Sequence, residues 1–64
     1  MKIGDKIKEL RLDKEISQAM LAKQIGVSQK AVDCWERNVN EPKASYIILL
    51  VDFFGISFDD FFPT

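Results

Sequence analysis

Apolar residues recur every three or four positions along most of the chain, the spacing that lines one side of an α-helix. In the first stretch, Ile3, Ile7 and Leu10 form such an apolar side. A nearly continuous apolar stretch later in the chain also has helical spacing. These patterns predict helices over about residues 3–14 and 44–54. The predicted core side of the helix over residues 44–54 consists of Ala44, Ile47, Leu50 or Val51, and Phe54.

Two shorter helical patterns flank Gly26 in the middle of the chain. Ser17 and Ser28 each precede one of them, and a serine hydroxyl at that place can accept from a backbone N–H one turn on. Glycine takes a left-handed turn without a Cβ penalty. The pattern predicts helices over about residues 17–25 and 28–37, joined as a helix-turn-helix. Their predicted inward residues are Leu21, Ile25, Val32 and Trp35.

A fifth, short helix is predicted over about residues 58–62. Gly55 ends the helix before it, because glycine suits a left-handed helix terminus. Ser57 can cap the short helix, and Asp60, three residues on, can complete a capping box. Pro63 ends the pattern. We therefore predict an all-α fold of five helices.

Length and composition restrict the class of protein. The 64 residues fit one domain, 1–64. A single cysteine, Cys34, excludes an internal disulfide and a zinc site built from cysteines. There is no histidine, phosphate-binding loop or nucleophile motif, so we expect neither an enzyme nor a cofactor, and no small-molecule site is evident. The longest apolar run, 46–51, is too short to cross a membrane. We expect a cytoplasmic protein.

The formal charge is distributed unevenly along the chain. The net value of −1 argues mildly against a nucleic-acid partner. However, residues 1–43 contain all nine Lys and Arg and carry +2, whereas residues 44–64 carry −3. A basic surface opposite an acidic end is therefore compatible with this composition, and the local field matters more for binding than the sum.

A set of residues at characteristic spacings carries a family resemblance: Gln18, Leu21, Ala22, Ile25, Gly26, Val27, Ser28, Trp35, Glu36 and Pro42. With this set, the chain from Ile3 to Phe62 resembles the Cro and phage-repressor family, also called XRE-like. The resemblance implies a compact repressor-like domain that binds double-stranded DNA sequence-specifically and regulates transcription, as a repressor that occupies its operator. The alternative is a protein-binding module on the same fold, such as an antirepressor or an antitoxin-like partner.

In this family the third helix lies in the major groove, which implies base contacts by Gln29 and Lys30. Both residue types can bond base edges, although two solvated polar residues at a helix start are the alternative. Asp33 is expected either to accept from a cytosine amine or, more often, to pair with Lys30 or Arg37. Cys34 matches a base-reading position of some relatives, and a half-buried spacer is the alternative.

The resemblance also implies phosphate contacts and a buried ion pair. Gln18, at the start of the second helix, is expected to contact a phosphate and brace the recognition helix. Arg11 is expected to pair with Glu36 in a largely buried bridge, since its planar fork suits that role. Trp35 is expected in the core rather than as a stacking platform. Three further residues cluster after the recognition helix as candidate phosphate contacts: Arg37, Asn38 and Lys43.

Two positions depart from the family pattern. Glu15 stands where glycine or asparagine is frequent, and we expect a less sharply left-handed turn there. Asn38 stands where glycine is usual, and asparagine is the next best residue for a left-handed terminus.

The predicted fourth helix has more apolar residues than one core side needs. We expect a second apolar stripe that joins two copies as a homodimer, unless the tail at 61–64 covers it. The expected interface residues are Tyr46, Leu49, Phe53, Phe58 and Phe62.

Overall fold

Five α-helices and no β-strand form within residues 2–62, the part of the chain that the computed structural model describes. The helices are α1 (Ile3–Asp13), α2 (Gln18–Ile25), α3 (Gln29–Glu36), α4 (Ala44–Phe54) and α5 (Phe58–Phe61). Each lies where the apolar spacing predicts a helix, with ends that differ from the predicted ones by one residue at most. The predicted stop at Pro63 lies outside the described residues.

Serine side chains begin three of the helices. The Ser17 hydroxyl accepts from the Met20 N–H at 3.1 Å, and the Ser28 hydroxyl accepts from the Ala31 N–H at 3.1 Å. Ser57 accepts from the Asp60 N–H at 3.1 Å, but no return hydrogen bond reaches the Asp60 carboxylate among residues 2–62. The predicted capping box at α5 is therefore only half formed.

Gly26 makes the tight turn between α2 and α3 with a left-handed backbone, at φ +88°. Its N–H donates to the Ala22 carbonyl at 2.8 Å, which closes the last turn of α2. A side chain at this backbone angle would be strained, so the glycine fixes where α2 stops and α3 begins.

The turn after α1 differs from the expectation for Glu15, which adopts a fully left-handed backbone at φ +57°. The reason lies in the hydrogen bonds at the helix end. The Ile16 N–H donates to the Arg11 carbonyl at 3.3 Å, and the Glu15 N–H donates to the Leu12 carbonyl at 2.9 Å. This pattern needs a left-handed residue at Glu15 whatever its side chain, so the helix end decides the backbone angle.

The core lies where α2, α3 and α4 meet α1 and α5. Ala44 was expected in it but is exposed, because it begins α4 at the edge of the packed region. Phe61 was not expected in it but is fully buried. Trp35 is 5% exposed and belongs to the core, as expected. The buried apolar residues are Ile7, Leu21, Ala22, Ile25, Val32, Trp35, Leu50, Val51, Phe54 and Phe61.

Helix α1 passes very close to the end of α3 at Gly4. A Cβ atom built on Gly4 would lie 1.9 Å from the Trp35 carbonyl oxygen. The Gly4 N–H donates to the Asn38 side-chain oxygen at 3.2 Å, and the Asn38 amide nitrogen donates to Asp5 at 3.1 Å. Asn38 itself is left-handed, at φ +60°. Asn38 thus satisfies an orphan N–H donor at the start of α1 from 34 residues away.

Candidate nucleic-acid interface

The exposed side of α3 begins with Gln29 and Lys30, while Val32 and Trp35 turn the opposite side into the core. Both Gln29 and Lys30 are exposed to solvent. Within the part of the chain that the structure describes, neither side chain makes a hydrogen bond or an ion pair. Their amide and ammonium groups are therefore open to an external ligand.

A groove of about 620 Å³ runs between α3 and the loop that leads into α4. Lys30, Lys43 and Glu41 line it, so it carries two ammonium groups and one carboxylate. Cys34 is half-buried and also lines this groove, next to Ala31 and Tyr46. The thiol thus lies within reach of a ligand in the groove while part of its surface packs on the protein.

Asp33 is engaged by two neighbours in its own chain. Its Oδ2 accepts from the Arg37 Nε at 2.9 Å, and its Oδ1 accepts from the Gln18 Nε2 at 3.3 Å. These hydrogen bonds, that from Gln18 first and that from Arg37 second, lower the pKa of the Asp33 carboxyl below its ordinary value. Of the two expected cationic partners, Arg37 is the one that pairs with Asp33.

Gln18 joins the start of α2 to α3 through its side-chain amide. Its Nε2 donates to Asp33 and also, at 3.1 Å, to the Glu36 Oε1. An amide nitrogen has two hydrogens, so both donors are used inside the protein. Gln18 thus links α2 to α3, and a phosphate contact by this amide needs one of these two hydrogen bonds to open.

Arg11 and Glu36 form a bidentate ion pair below this surface. The Arg11 Nε donates to Glu36 Oε2 at 2.7 Å, and Nη2 donates to Oε1 at 3.1 Å. The third nitrogen, Nη1, donates to the Ile16 carbonyl at 2.8 Å. The residues are only 9% and 6% exposed, so the pair is buried and every nitrogen of the guanidinium has an acceptor.

The three residues expected to contact phosphates after α3 have different environments. Arg37 keeps 60% of its side chain exposed, and Asp33 engages only its Nε. Lys43 is exposed at the start of α4. The Asn38 side chain, in contrast, is committed to Gly4 and Asp5 on α1, so its position gives it a structural role.

The expected dimer stripe is divided by the structure. The Tyr46 ring lies 5.8 Å from the Trp35 ring, and Phe53 packs edge-on against Phe54, with the Lys14 ammonium 5.2 Å from its centre. Both half-buried rings therefore pack on their own chain. The remaining expected residues are exposed, as is one that the sequence did not single out; these are Leu49, Phe58, Phe62 and Ile48.

One residue of structural importance to the interface escaped sequence reasoning, and a signal for it exists. Gly4 sits inside a helical pattern, where glycine costs about 0.5–1 kcal/mol relative to alanine. Glycine is the residue that allows a close approach of backbones, so a glycine at such a position is a signal for one. Here that approach sets the distance between α1 and the end of α3.

Other kinds of site receive no support from the described residues. No cluster of three His, Cys, Asp or Glu side chains that could hold a metal ion occurs in residues 2–62. In the same range no helix has the length and apolar character needed to cross a membrane.

A glycine turn between two serine-capped helices, the second with exposed polar residues over a buried tryptophan, defines the helix-turn-helix class. Residues 7–61 match the model of the family described as "Helix-turn-helix", and the chain belongs to that family. It is of the Cro and phage-repressor type, a family of transcriptional regulators, which confirms the resemblance drawn from the sequence.

Solved structures share both the fold and part of the sequence. The P22 c2 repressor in complex with synthetic operator 9T superimposes with a TM-score of 0.89 and 32% identity, covering 97% of this chain and 94% of that one. The restriction-modification controller protein C.AhdI from Aeromonas hydrophila gives a TM-score of 0.85 and 28% identity, with 94% and 91% covered. The all-α, five-helix repressor fold is thereby confirmed.

A curated relative is the HTH-type transcriptional activator BcrR of Enterococcus faecalis, 30% identical over 60 residues. The match covers 94% of this chain but only 29% of that relative. The chain thus spans less than a third of the length of the protein it matches.

Proposed function

We propose that this chain binds double-stranded DNA sequence-specifically and regulates transcription, with α3 in the major groove. The observation that carries the proposal is the exposed position of Gln29 and Lys30 at the start of α3. Glutamine can bond an adenine bidentately, and lysine can donate to guanine O6 and N7. If both residues are instead solvated and contact no base, substituting either one should leave the affinity for DNA unchanged.

The groove between α3 and the following loop supports the same proposal. Lys30 and Lys43 outnumber the one acidic residue that lines it, Glu41, and a DNA strand carries one negative charge at each phosphate. Arg37, at the end of α3, adds a third exposed cation. In this proposal Lys43 and Arg37 bind phosphates, as do backbone N–H groups at the start of α2 next to Gln18. Cys34 lies where it can touch a thymine methyl group.

The proposed effect on transcription is repression by occupancy in the cytoplasm. Blocking a promoter requires no contact beyond those with DNA. The operator-bound P22 c2 repressor supports this direction, whereas BcrR is an activator. Transcription in vitro from a template that carries the bound site checks the direction: we expect fewer transcripts as protein is added. More transcripts would assign activation instead.

The proposal is tested first by selecting bound duplexes from a random pool, and then by titrating the selected duplex at two salt concentrations. Wild-type protein should enrich one sequence and lose affinity as salt rises, with a log–log slope of about −0.9 per phosphate contacted. Lys30→Ala should lower the preference at one base pair by about 1–3 kcal/mol while thermal stability stays unchanged.

Lys6→Ala is the matched control, because it removes the same charge from α1. Lys6 lies two positions from Gly4, which faces α3, and so on the opposite side of the helix. Among residues 2–62 its one ion pair is with Glu9, at 3.6 Å. Equal losses of DNA affinity in Lys6→Ala and Lys30→Ala would indicate a general charge effect and count against base reading by α3.

A second copy of this chain is the proposed partner. Helix-turn-helix dimers place two recognition helices about 34 Å apart on successive major grooves. The exposed side chains of Leu49, Phe58 and Phe62, together with Ile48, are the proposed interface, since exposed apolar surface marks protein contacts. The half-buried Tyr46 and Phe53 contribute only at its edge.

Sedimentation equilibrium of the wild type and two variants tests the dimer. Phe58→Ser should shift the population towards monomer, whereas Leu12→Ser, an exposed apolar residue on α1, should not. If the wild type stays monomeric in the presence of a palindromic duplex, the proposed dimer is refuted, while the proposal that the chain binds DNA is unaffected.

The protein-binding alternative has one observation in its favour, the charge of −3 over residues 44–64 combined with exposed apolar residues on α4 and α5. It predicts that no duplex is enriched in the selection. A folded wild type that binds DNA weakly and without preference would therefore favour this alternative.

A further inference from the structure

The polar side chains between α2 and α3 form one continuous network that reaches the proposed DNA surface. From the inside outwards it consists of Arg11, Glu36, Gln18, Asp33 and Arg37, each hydrogen-bonded to the next. The inner pair is buried, and the outermost side chain is 60% exposed. We call these five residues the polar network.

Asp33 has contacts on both sides within this network. Gln18 donates to its Oδ1 from α2, and Arg37, just after the last residue of α3, donates to its Oδ2. Gln18 is in turn fixed to the buried Glu36. The carboxylate of Asp33 is therefore held from the protein side, in a direction set by a buried ion pair rather than by solvent.

Arg37 is held by one nitrogen only. Its Nε donates to Asp33, while Nη1 and Nη2 make no hydrogen bond within residues 2–62. A guanidinium carries five donors, so four remain, at the end of the side chain away from Asp33. Two parallel donors at this end match the oxygens of a phosphate, and an arginine held by its Nε loses less rotamer freedom when it binds one.

The charge of Asp33 also bears on its role. An unpaired carboxylate beside a DNA strand would repel phosphates, and a base contact would have to outweigh that repulsion. Paired with Arg37, Asp33 adds no net charge at this point of the surface. Its geometry thus suits holding a neighbour better than accepting from a cytosine amine.

We propose that Asp33 is a positioning residue that holds Arg37 by its Nε, so that the two terminal nitrogens meet a DNA phosphate, and that Asp33 reads no base. This inference rests on the proposed DNA binding and assigns a role within it. In this role, Asp33 affects the affinity for DNA only through the position of Arg37.

A double-mutant cycle on the selected duplex tests the inference. Asp33→Ala should weaken binding by about threefold to tenfold in the wild-type background, as expected of one misplaced phosphate contact. In the Arg37→Ala background the same change should have no effect or should strengthen binding, because only a negative charge is then removed. Arg37→Ala should reduce the salt slope by about one, and Asp33→Ala should reduce it in the same direction.

Base preference and a control variant complete the test. Asp33→Ala should select the same sequence from a random pool as the wild type. Asp33→Asn, whose single oxygen can still accept from Arg37, should retain part of the affinity. Asp52→Ala removes an exposed carboxylate on α4 and measures the general effect of one negative charge.

Two results would overturn the positioning role while DNA binding stands. One is equal effects of Asp33→Ala in both backgrounds, and the other is loss of preference at a single base pair. A wild-type protein that enriches no duplex would overturn the proposed function itself, so the two failures are distinguishable. Circular dichroism of each variant establishes that the compared proteins are folded.

Discussion

Because α1 lies so close to the end of α3, the substitution Gly4→Ala should change stability in two opposing ways. Helix propensity favours the alanine, whereas packing disfavours it. Alanine is favoured over glycine in a helix interior by about 0.8–1.0 kcal/mol. However, a Cβ at Gly4 would lie 1.9 Å from the Trp35 carbonyl oxygen. Because the clash is with backbone, no side-chain rotation can relieve it, and α1 has to move away from α3.

The expected loss of stability can be estimated from that movement of α1. A carbon atom and a carbonyl oxygen need about 3.3 Å, so the start of α1 must shift by roughly 1.4 Å. Two hydrogen bonds of Asn38, to Gly4 and to Asp5, would then stretch or break, at about 0.5–1.5 kcal/mol each. Overpacking adds about 1–3 kcal/mol. After subtraction of the propensity gain, we expect Gly4→Ala to lower the free energy of unfolding by about 1–5 kcal/mol.

Urea and thermal unfolding followed by circular dichroism measure this loss. A domain of this size is expected to have only about 3–10 kcal/mol of stability, so the variant should unfold at a clearly lower temperature. Lys8→Ala, at an exposed position of the same helix, should change stability by less than about 0.5 kcal/mol. Asn38→Gly removes the two hydrogen bonds without the clash and should cost less than Gly4→Ala. A Gly4→Ala protein as stable as the wild type, or more stable, would refute the packing argument.

Four further predictions concern single positions. Arg11→Met leaves the Glu36 carboxylate buried without its guanidinium and should cost about 3–5 kcal/mol in denaturant unfolding, whereas a loss below about 1 kcal/mol would mean that the pair is solvated. Phe61→Ala empties a fully buried site and should cost about 3–5 kcal/mol by the same measurement; a small loss would place α5 outside the core. Glu15→Gly should raise stability by up to about 1 kcal/mol, because it relieves a left-handed side chain, and a lower melting temperature would contradict that reason. The lowered pKa of Asp33 in the folded state means that its carboxylate contributes stability above the ordinary pKa of an aspartate. That contribution is lost as pH falls through the lower, folded pKa, and Asp33→Asn should flatten that part of the curve of stability against pH.

Local chemistry explains what the sequence predicts well. Ser17 and Ser28 each bond an N–H three residues ahead, and Gly26 forms its turn with hydrogen bonds to the turn before it. Such interactions depend on neighbours in sequence, so the spacing of residues is enough to place the helices. The Arg11–Glu36 pair spans 25 residues. Only the family resemblance, not the spacing, indicated it.

The remaining features depend on contacts between distant parts of the chain. Residues 58–62 contain three phenylalanines, which are equally apolar. Their periodicity therefore does not show that only Phe61 is fully buried. The side-chain role of Asn38 depends on α1, more than thirty residues earlier. Tyr46 is one of the residues of the apolar stripe expected to form a dimer surface. However, the nearby Trp35 ring partly covers the Tyr46 side chain. Periodicity shows which residues are apolar, but not which element covers them.

The side chain of Gln18, which donates to acceptors on α3 from the start of α2, has a thermodynamic consequence. The angle between the two helices is already fixed in the free protein, so no segment of the motif has to fold when it meets a ligand. Calorimetry of the association should then show a heat-capacity change no larger than the apolar contact area requires. The favourable entropy would come mainly from counter-ions that leave the nucleic acid.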